Sequence, residues 1–368
     1  MVDAPPLPPP AIEQPAAQQV SYGLVTGRAA RGTRFIAVLA NGRVLVSKQL
    51  RGRRFSLKVG LPRGDLDLRV LTVARDGRRS SRVVRDVYGL PGTASPRFVR
   101  SRHDSALARD LRRLVTQYDG TAGFYVQSLT DGRGAAWNAK AHFPAASTLK
   151  LAIATAVLAR HSGIPAPTSY VGGLLREMII PSDDGAANAL EVWLAGSTYA
   201  GSRQVNALMR SIGMTDSIMY GGYEVSASLS ASIPVRVDEQ PAFGFGKHTT
   251  ARDMAMLWRV LWLASGGRGP LLEAQSGLTP ADARHLLWLA AHVQDVPKLD
   301  RVVGEGAGVD VLHKAGWISQ ARHDTGLVFW RGGVFVAGVM TYRSWGIGLS
   351  SDVLAGRLAA RSLKHFRR

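Results

Sequence analysis

The chain has 368 residues, 46% of them hydrophobic, and no cysteine. That is long enough for two domains with a sizeable core, and it excludes disulfides, thiolate metal sites and a cysteine nucleophile. The formal net charge is +19, and no apolar run approaches the roughly 18–20 residues that a membrane-spanning helix needs.

Residues 1–20 are rich in proline (Pro5, Pro6, Pro8, Pro9, Pro10, Pro15), a composition that predicts a disordered tether. No signal-peptide apolar stretch follows Met1, so an export signal is expected to lie outside this chain. Residues 21–90 read as short strands. Arg34–Ala40 ends at Asn41-Gly42, a hairpin turn, and Arg43–Ser47 follows. Phe55–Val59 and Leu66–Val73 alternate apolar and polar residues, the latter ending at Asp76-Gly77. This spacing predicts a small antiparallel all-β sandwich, loosely similar to the immunoglobulin-like modules appended to bacterial surface enzymes.

Most of the excess charge lies in this region. Between residues 21 and 103 there are 19 Arg and Lys against four Asp (Asp65, Asp67, Asp76, Asp86). Such a field attracts anionic polymers in a salt-dependent way. The arginines lack interleaved aromatics and no nucleic-acid motif is present, so nucleic acid is not expected as a partner. Solvated strand faces, or binding to anionic cell-wall polymer or lipid headgroups, remain. Residues 91–104, opening with Pro91-Gly-Thr-Ala-Ser-Pro96, read as a linker.

From Ser105 the pattern changes. Leu107, Leu111, Leu114 and Val115 fall at helical spacing. Gly123–Leu129 alternates as a strand, Asp131-Gly132 turns it, and Ala135–Trp137 begins the return. Residues 148–300 are mainly helical. Gly326–Trp330 and Val334–Met340 read as strands around Arg331-Gly-Gly333, and a helix closes the chain from about residue 350. The order implies an α+β domain whose one sheet is assembled from both ends, with a helical block inserted.

Ser147-Thr-Leu-Lys150 stands at the start of an apolar helix, and Ser147 is the only serine with a lysine three residues on. Residues three apart share a helix face. The pattern sets an amine beside a hydroxyl, and burial lowers the amine's pKa toward that of a useful base. Alone it reads as an ordinary Ser and Lys at the start of a core helix, since S-x-x-K is common by chance. Ser182-Asp183-Asp184-Gly-Ala-Ala-Asn188 opens a second apolar helix, and His313-Lys314-Ala315-Gly316-Trp317 precedes strand-like sequence.

The ordered series S-x-x-K, S-D-N, K-T-G marks class A β-lactamases and penicillin-binding proteins. Residues 105–368, carrying the first motif intact and the other two altered, resemble class A β-lactamase-like serine hydrolases. Thr249-Thr-Ala-Arg-Asp-Met resembles the helix start after the family's Ω-loop, and His323–Trp330 its last-but-one core strand. The resemblance implies the β-lactamase/transpeptidase-like fold, with an antiparallel sheet flanked by helices and a helical subdomain. It also implies that Ser147 is the acylated nucleophile, Lys150 its base or proton relay, and Ser182 the proton donor to the leaving nitrogen. Lys314 would hold that relay and attract a substrate carboxylate. The N–H groups of Ser147 and Trp317 would form the oxyanion hole. Asp184, Asn188, Ala315, Gly316 and Trp317 would line or shape the substrate site, with Asn188 positioning the Ω-loop.

The departures are specific. Asp184 stands where Asn is usual, and a carboxylate accepts hydrogen bonds but cannot donate them. Unpaired, it would repel anionic substrates. Ala315 replaces a hydroxyl residue. The interval from Ser147 to Ser182 is short for the family, so one cleft wall is expected to be cut down. That from Ser182 to Lys314 is long, so the far wall is expected to have grown. The family's water-activating E-x-x-L-N string is absent; Glu224, after Gly213-Met214-Thr215, is the best-placed substitute and Glu239 a second. His313 reads as a strand-edge histidine with a backbone partner. His248 and His323 lack metal-ligand spacing, so neither metal nor cofactor is expected. Gly221-Gly222 and Gly304-Glu-Gly306 read as turns.

Three readings stay open. One is a β-lactamase-like hydrolase that turns over a β-lactam or related amide. Another is a D-Ala-D-Ala peptidase or penicillin-binding enzyme acting on peptidoglycan-derived substrates with slow deacylation. The third is a non-catalytic cell-wall binding protein on this fold. All three place the protein outside the cytoplasm.

Overall fold

Alternating side chains build the first of two compact units, which divide between Ser95 and Pro96. The computed structural model describes residues 5–161, 163–224, 239–244, 246–301 and 308–368. Strands β1 (Ala11–Gln14), β2 (Gln19–Ser21), β3 (Leu24–Arg28), β4 (Thr33–Ala40), β5 (Arg43–Gln49), β6 (Arg54–Lys58), β7 (Gly64–Ala74) and β8 (Arg79–Gly89) form two sheets, ordered β1-β3-β6 and β2-β8-β7-β4-β5. In β6, Phe55 and Leu57 point inward while Arg54, Ser56 and Lys58 face solvent. Val25, Ile36, Val38, Leu68, Val70 and Val87 fill the core, fully buried. Each such side chain contributes about 1.5–3 kcal/mol of burial. Asn41 and Gly42 both take positive φ (47° and 81°), the two-residue turn that matches strand twist.

Within residues 1–20, expected as a disordered tether, Ala11–Gln14 and Gln19–Val20 lie in strands instead. β1 pairs with β3, and β2 runs parallel to β8. Leu7, Pro10 and Pro15 are buried. The prolines misled because they lack an N–H, yet they flank short edge strands, where no ladder bond is lost.

The second unit comprises β9 (Arg102–His103), α1 (Ser105–Val115), β10 (Thr121–Ser128), β11 (Arg133–Trp137), β12 (Phe143–Pro144), α2 (Lys150–Arg160), α3 (Tyr170–Ile179), α4 (Asp184–Ala195), α5 (Thr198–Ser211), β13 (His248–Thr249), α6 (Ala251–Ser265), α7 (Pro270–Ala274), α8 (Pro280–Ala290), β14 (Val309–Ile318), β15 (Ala321–Trp330), β16 (Gly333–Tyr342) and α9 (Leu349–Phe366). The main sheet is ordered β14-β15-β16-β10-β11-β9, so strands from both ends of the unit pair at β10 and β16. Leu107 and Leu111 of α1 and Leu358 and Phe366 of α9 pack with Phe124, Phe335 and Val339 on one face. α6 covers the other face. A Cβ on Gly338 would lie 2.5 Å from the carbonyl oxygen of Ala251, and Trp258 Nε1 donates to Thr325 Oγ1 at 2.9 Å.

Two boundaries differ from the sequence reading. Arg102–His103, expected in a linker, forms an edge strand parallel to β11, and Asp104 caps α1 by accepting from the Leu107 N–H. The stretch His313–Trp317 lies inside β14 rather than before a strand. Gly304-Glu-Gly306 falls outside the described residues. No described helix is long and apolar enough to cross a membrane.

Candidate active site

Ser147 sits on a 3₁₀ turn, Ala146–Leu149, that runs straight into α2. The helix is apolar all round, and Lys150 through Leu158 are buried, so Lys150 is driven into the interior with its neighbours. Upstream, His323 on β15 anchors the turn. Its Nε2 donates to Pro144 O at 2.7 Å and its Nδ1 accepts from the Thr341 N–H at 3.2 Å. That tautomer is neutral, and burial pushes the His323 pKa down to about 4.

Two buried lysines converge on Ser182. Lys150 Nζ donates to Asp184 Oδ1 at 2.5 Å, to Ser182 O at 2.5 Å and, at 3.4 Å, to Ser182 Oγ. Lys314 Nζ lies 2.8 Å from Ser182 Oγ and 3.2 Å from Ala315 O. Both side chains are inaccessible to solvent. Burial lowers the Lys150 pKa, while the Asp184 carboxylate works against that shift. Lys314 has no carboxylate within ion-pair distance among the described residues. Burial, and next the charge of Lys150, push it down to about 7. Beneath it, His313 Nδ1 bonds Asp324 at 2.9 Å; burial opposes the imidazolium, and the carboxylate outweighs that, raising the His313 pKa. The backbone partner expected for His313 is thus a buried carboxylate instead.

β14 closes the site from the other side. A Cβ on Gly316 would meet Ser147 N at 2.7 Å and Thr148 N at 2.9 Å, so the strand touches the Ser147 turn backbone to backbone. Next to it Trp317 is 61% exposed. Together with Ser147, Ser182, Asp184, Tyr223 and Glu224 it lines a cleft of about 720 Å³. Three non-glycine residues of this lining, Ala146, Ser182 and Glu224, hold positive φ (46°, 68° and 60°). Each such conformation costs about 1–3 kcal/mol, and such residues cluster at functional sites.

The loop opposite is pinned by α4. Asn188 Nδ2 donates to Tyr223 O at 3.0 Å, and its Oδ1 accepts from the Tyr223 N–H at 2.6 Å. This turns the Tyr223 ring inward, 4.8 Å from Lys150 Nζ and 5.0 Å from Lys247 Nζ. Glu224, next in sequence, is exposed at the cleft rim. Behind the loop Glu191 is fully buried, and neither carboxylate oxygen has a hydrogen-bond partner among the described residues. Burial raises its pKa to about 8, Lys247 pulling the other way.

The fold therefore brings Ser147, Lys150, Ser182, Asp184, Lys314, Gly316 and Trp317 together. Ala315 is buried and lies off the cleft lining, and Asn188 holds the loop rather than the cleft surface. Glu239 contributes its backbone carbonyl to Asn138 Nδ2. Sequence reasoning missed Tyr223, Lys247 and Glu191. Their only signal was an ionisable residue inside an apolar helix for Glu191, and for Tyr223 its place beside the Glu224 already singled out.

The model of the beta-lactamase enzyme family matches residues 106–163 and 162–366. Among solved structures the chain is similar to PBP-A, with 21% identity over 73% of this chain and 98% of that one and a TM-score of 0.56. It is similar to an ancestral (GNCA) class A β-lactamase, with 22% identity, 71% and 100% coverage and a TM-score of 0.55. A β-lactamase from Sphaerobacter thermophilus DSM 20745 gives 20%, 71% and 96%, and 0.53. At these identities the likeness shows the fold. No curated protein sequence matches the chain.

Proposed function

The chain belongs to the beta-lactamase enzyme family, and on that premise we propose that it is a serine hydrolase whose Ser147 is acylated by a β-lactam or a related amide. The observation carrying this reading is the convergence of two buried lysines, Lys150 and Lys314, on Ser182, which lines one cleft with Ser147. An acyl-serine cycle needs a nucleophile, a nearby base, a proton donor for the leaving nitrogen and N–H donors for the oxyanion. Ser147 supplies the nucleophile, and its own N–H and that of Trp317 are the donors we assign to the oxyanion. A variant of PBP-A is known as an acyl-enzyme complex with penicillin G, the same chemistry on the same fold.

One observation favours slow hydrolysis of the adduct, the behaviour of a D-Ala-D-Ala peptidase or penicillin-binding enzyme. The loop side chain that faces Lys150 is Tyr223, and a phenol with a pKa raised well above its usual value is a poor acceptor of a water proton. Of the two carboxylates lining the cleft among the described residues, Asp184 is engaged by Lys150 and Glu224 stands at the exposed rim. Glu224 is the residue left to activate water. The basic N-terminal unit supports placement at an anionic cell wall, outside the cytoplasm.

The test is intact-mass and gel-fluorescence detection of a covalent adduct with a fluorescent penicillin, followed over hours, with Ser147→Ala as control. An adduct on wild type alone that persists supports the reading. If the adduct decays within minutes and Glu224→Gln makes it persist, the protein is a turning-over β-lactamase. Absence of any adduct on wild type removes the β-lactam substrate class.

A further inference from the structure

The two lysines at Ser182 differ in one respect that bears on which of them can take a proton. Lys150 Nζ is ion-paired with Asp184 at 2.5 Å and spends its other donors on Ser182. Among the described residues no side-chain hydrogen bond joins Ser147 to Lys150, Ser182 or Lys314; Ser147 and Ser182 line the same cleft. Lys150 is inaccessible while its partner Asp184 is 37% exposed; the carboxylate beside it favours the ammonium, whose loss would leave that charge unpaired. Lys314 Nζ is equally buried, touches no carboxylate, and lies 2.8 Å from Ser182 Oγ.

We propose that Asp184 divides the labour between these lysines: Lys150 is a fixed ammonium, and the Lys314–Ser182 pair is the proton acceptor that activates Ser147. The groups facing Lys314 agree with this assignment. Lys150 on α2 and Lys298 after α8 disfavour its charge, while Asp295 after α8 and Asp324 on β15 favour it and burial outweighs them. His313, its neighbour on β14, is occupied by Asp324. Around Lys150, burial lowers the pKa, and the charges of Asp184, Asp183 and Glu224 work against that shift by favouring the ammonium. The inference rests on the acylation reading above and refines it.

The step balances as follows. Ser147 Oγ forms a bond to the substrate carbonyl carbon. Its proton passes to Ser182 Oγ as the Ser182 proton passes to the neutral Lys314 amine. When the tetrahedral intermediate collapses, the C–N bond breaks, and the proton returns from Lys314 through Ser182 to the leaving nitrogen. An ester at Ser147 and a free amine result, and Lys314 is again neutral. The Lys150 ammonium stays beside Ser182 throughout and offsets the negative charge that develops.

Arginine keeps a cation but cannot deprotonate, so Lys→Arg substitutions separate the roles. Two probes are used on the full chain: a fluorophosphonate, which reports Ser147 nucleophilicity for any substrate, and the fluorescent penicillin. Lys150→Arg, which keeps the cation beside Ser182, is expected to lower fluorophosphonate labelling by about tenfold. Lys314→Arg is expected to lose about 100-fold or more. Wild-type labelling should rise with pH through about 7, the value to which Lys314 is pushed. Because arginine can disturb a packed site, NMR of ¹⁵N-lysine-labelled wild type provides a second reading. Lys314 should lose its proton while Lys150 remains an ammonium, and in Asp184→Asn the Lys150 titration should move down toward it. Lys150 titrating first, or labelling lost in a folded Lys150→Arg but kept in Lys314→Arg, overturns the proposal. So does a Ser147 inert to both probes. Fluorophosphonate labelling without a penicillin adduct would sink only the β-lactam substrate class and leave this assignment standing.

Discussion

A Cβ on Gly316 would stand 2.7 Å from the backbone nitrogen of Ser147. The Gly316 backbone and the Ser147 nitrogen both belong to ordered elements, so neither can swing aside, and the contact sets the spacing between β14 and the Ser147 turn. Gly316→Ala is therefore expected to slow Ser147 acylation by about 100-fold, roughly 2.7 kcal/mol of transition-state stabilisation. Stopped-flow or gel-based adduct formation measures it, with circular dichroism to establish that the variant is folded. Full activity in a folded Gly316→Ala would mean that the strand is free to retreat.

The clamp of Asn188 on the Tyr223 backbone makes a stability prediction. Asn188→Ala removes two hydrogen bonds and should cost about 1–3 kcal/mol in denaturant unfolding. Amide exchange at Tyr223 should accelerate more than exchange in α4, because the loop and not the helix loses its tie. Uniform acceleration would argue against a local clamp.

Glu191 predicts a pH dependence whose sign follows from its raised pKa. The usual carboxyl value of 4.5 rises to about 8 in the folded state, so between those pH values the folded state holds a proton that the unfolded state has released. Its contribution is therefore fully present below pH 4.5 and lost as pH rises through about 8, at up to about 1.4 kcal/mol per pH unit. Glu191→Gln keeps the shape without the ionisation. It should flatten the pH–stability curve between pH 6 and 8, measured by urea unfolding at fixed temperature. An unchanged slope in the variant would mean that the carboxylate is paired or hydrated in solution.

The N-terminal charge predicts salt-dependent binding. With 19 basic against four acidic residues between positions 21 and 103, the full chain should bind a poly(glycerol phosphate) polymer. Affinity should fall by about tenfold or more between 50 and 300 mM salt. Substituting the exposed Arg79, Arg82 and Arg85 of β8 with serine should weaken binding and reduce that salt dependence. Binding that ignores salt would point away from an electrostatic partner.

Local signals carried much of the fold. Alternation marked β6 and β7, Asn41-Gly42 marked their neighbouring hairpin, and the apolar run after Lys150 marked a buried helix, since each reports side chains only a few residues apart. Proline content failed over residues 11–20, because composition cannot tell an edge strand held by β3 and β8 from a free tether. The short β9 pairing was likewise invisible at two residues.

At the site, chain order alone supplied the residue types and their succession: Ser147 with Lys150 one helical turn on, then Ser182, then Lys314. It also exposed Asp184 as a departure. Only the tertiary structure decided what those residues touch. Lys314 and Ser182 are 132 residues apart and meet at 2.8 Å; Asp184 pairs with Lys150 across 34 residues; Tyr223, rather than the Glu224 beside it, turns inward. The physical reason is that charge state and hydrogen-bond partner depend on burial and on distances of a few ångströms, which chain order does not encode, whereas helical and strand periodicity depend on neighbours along the chain.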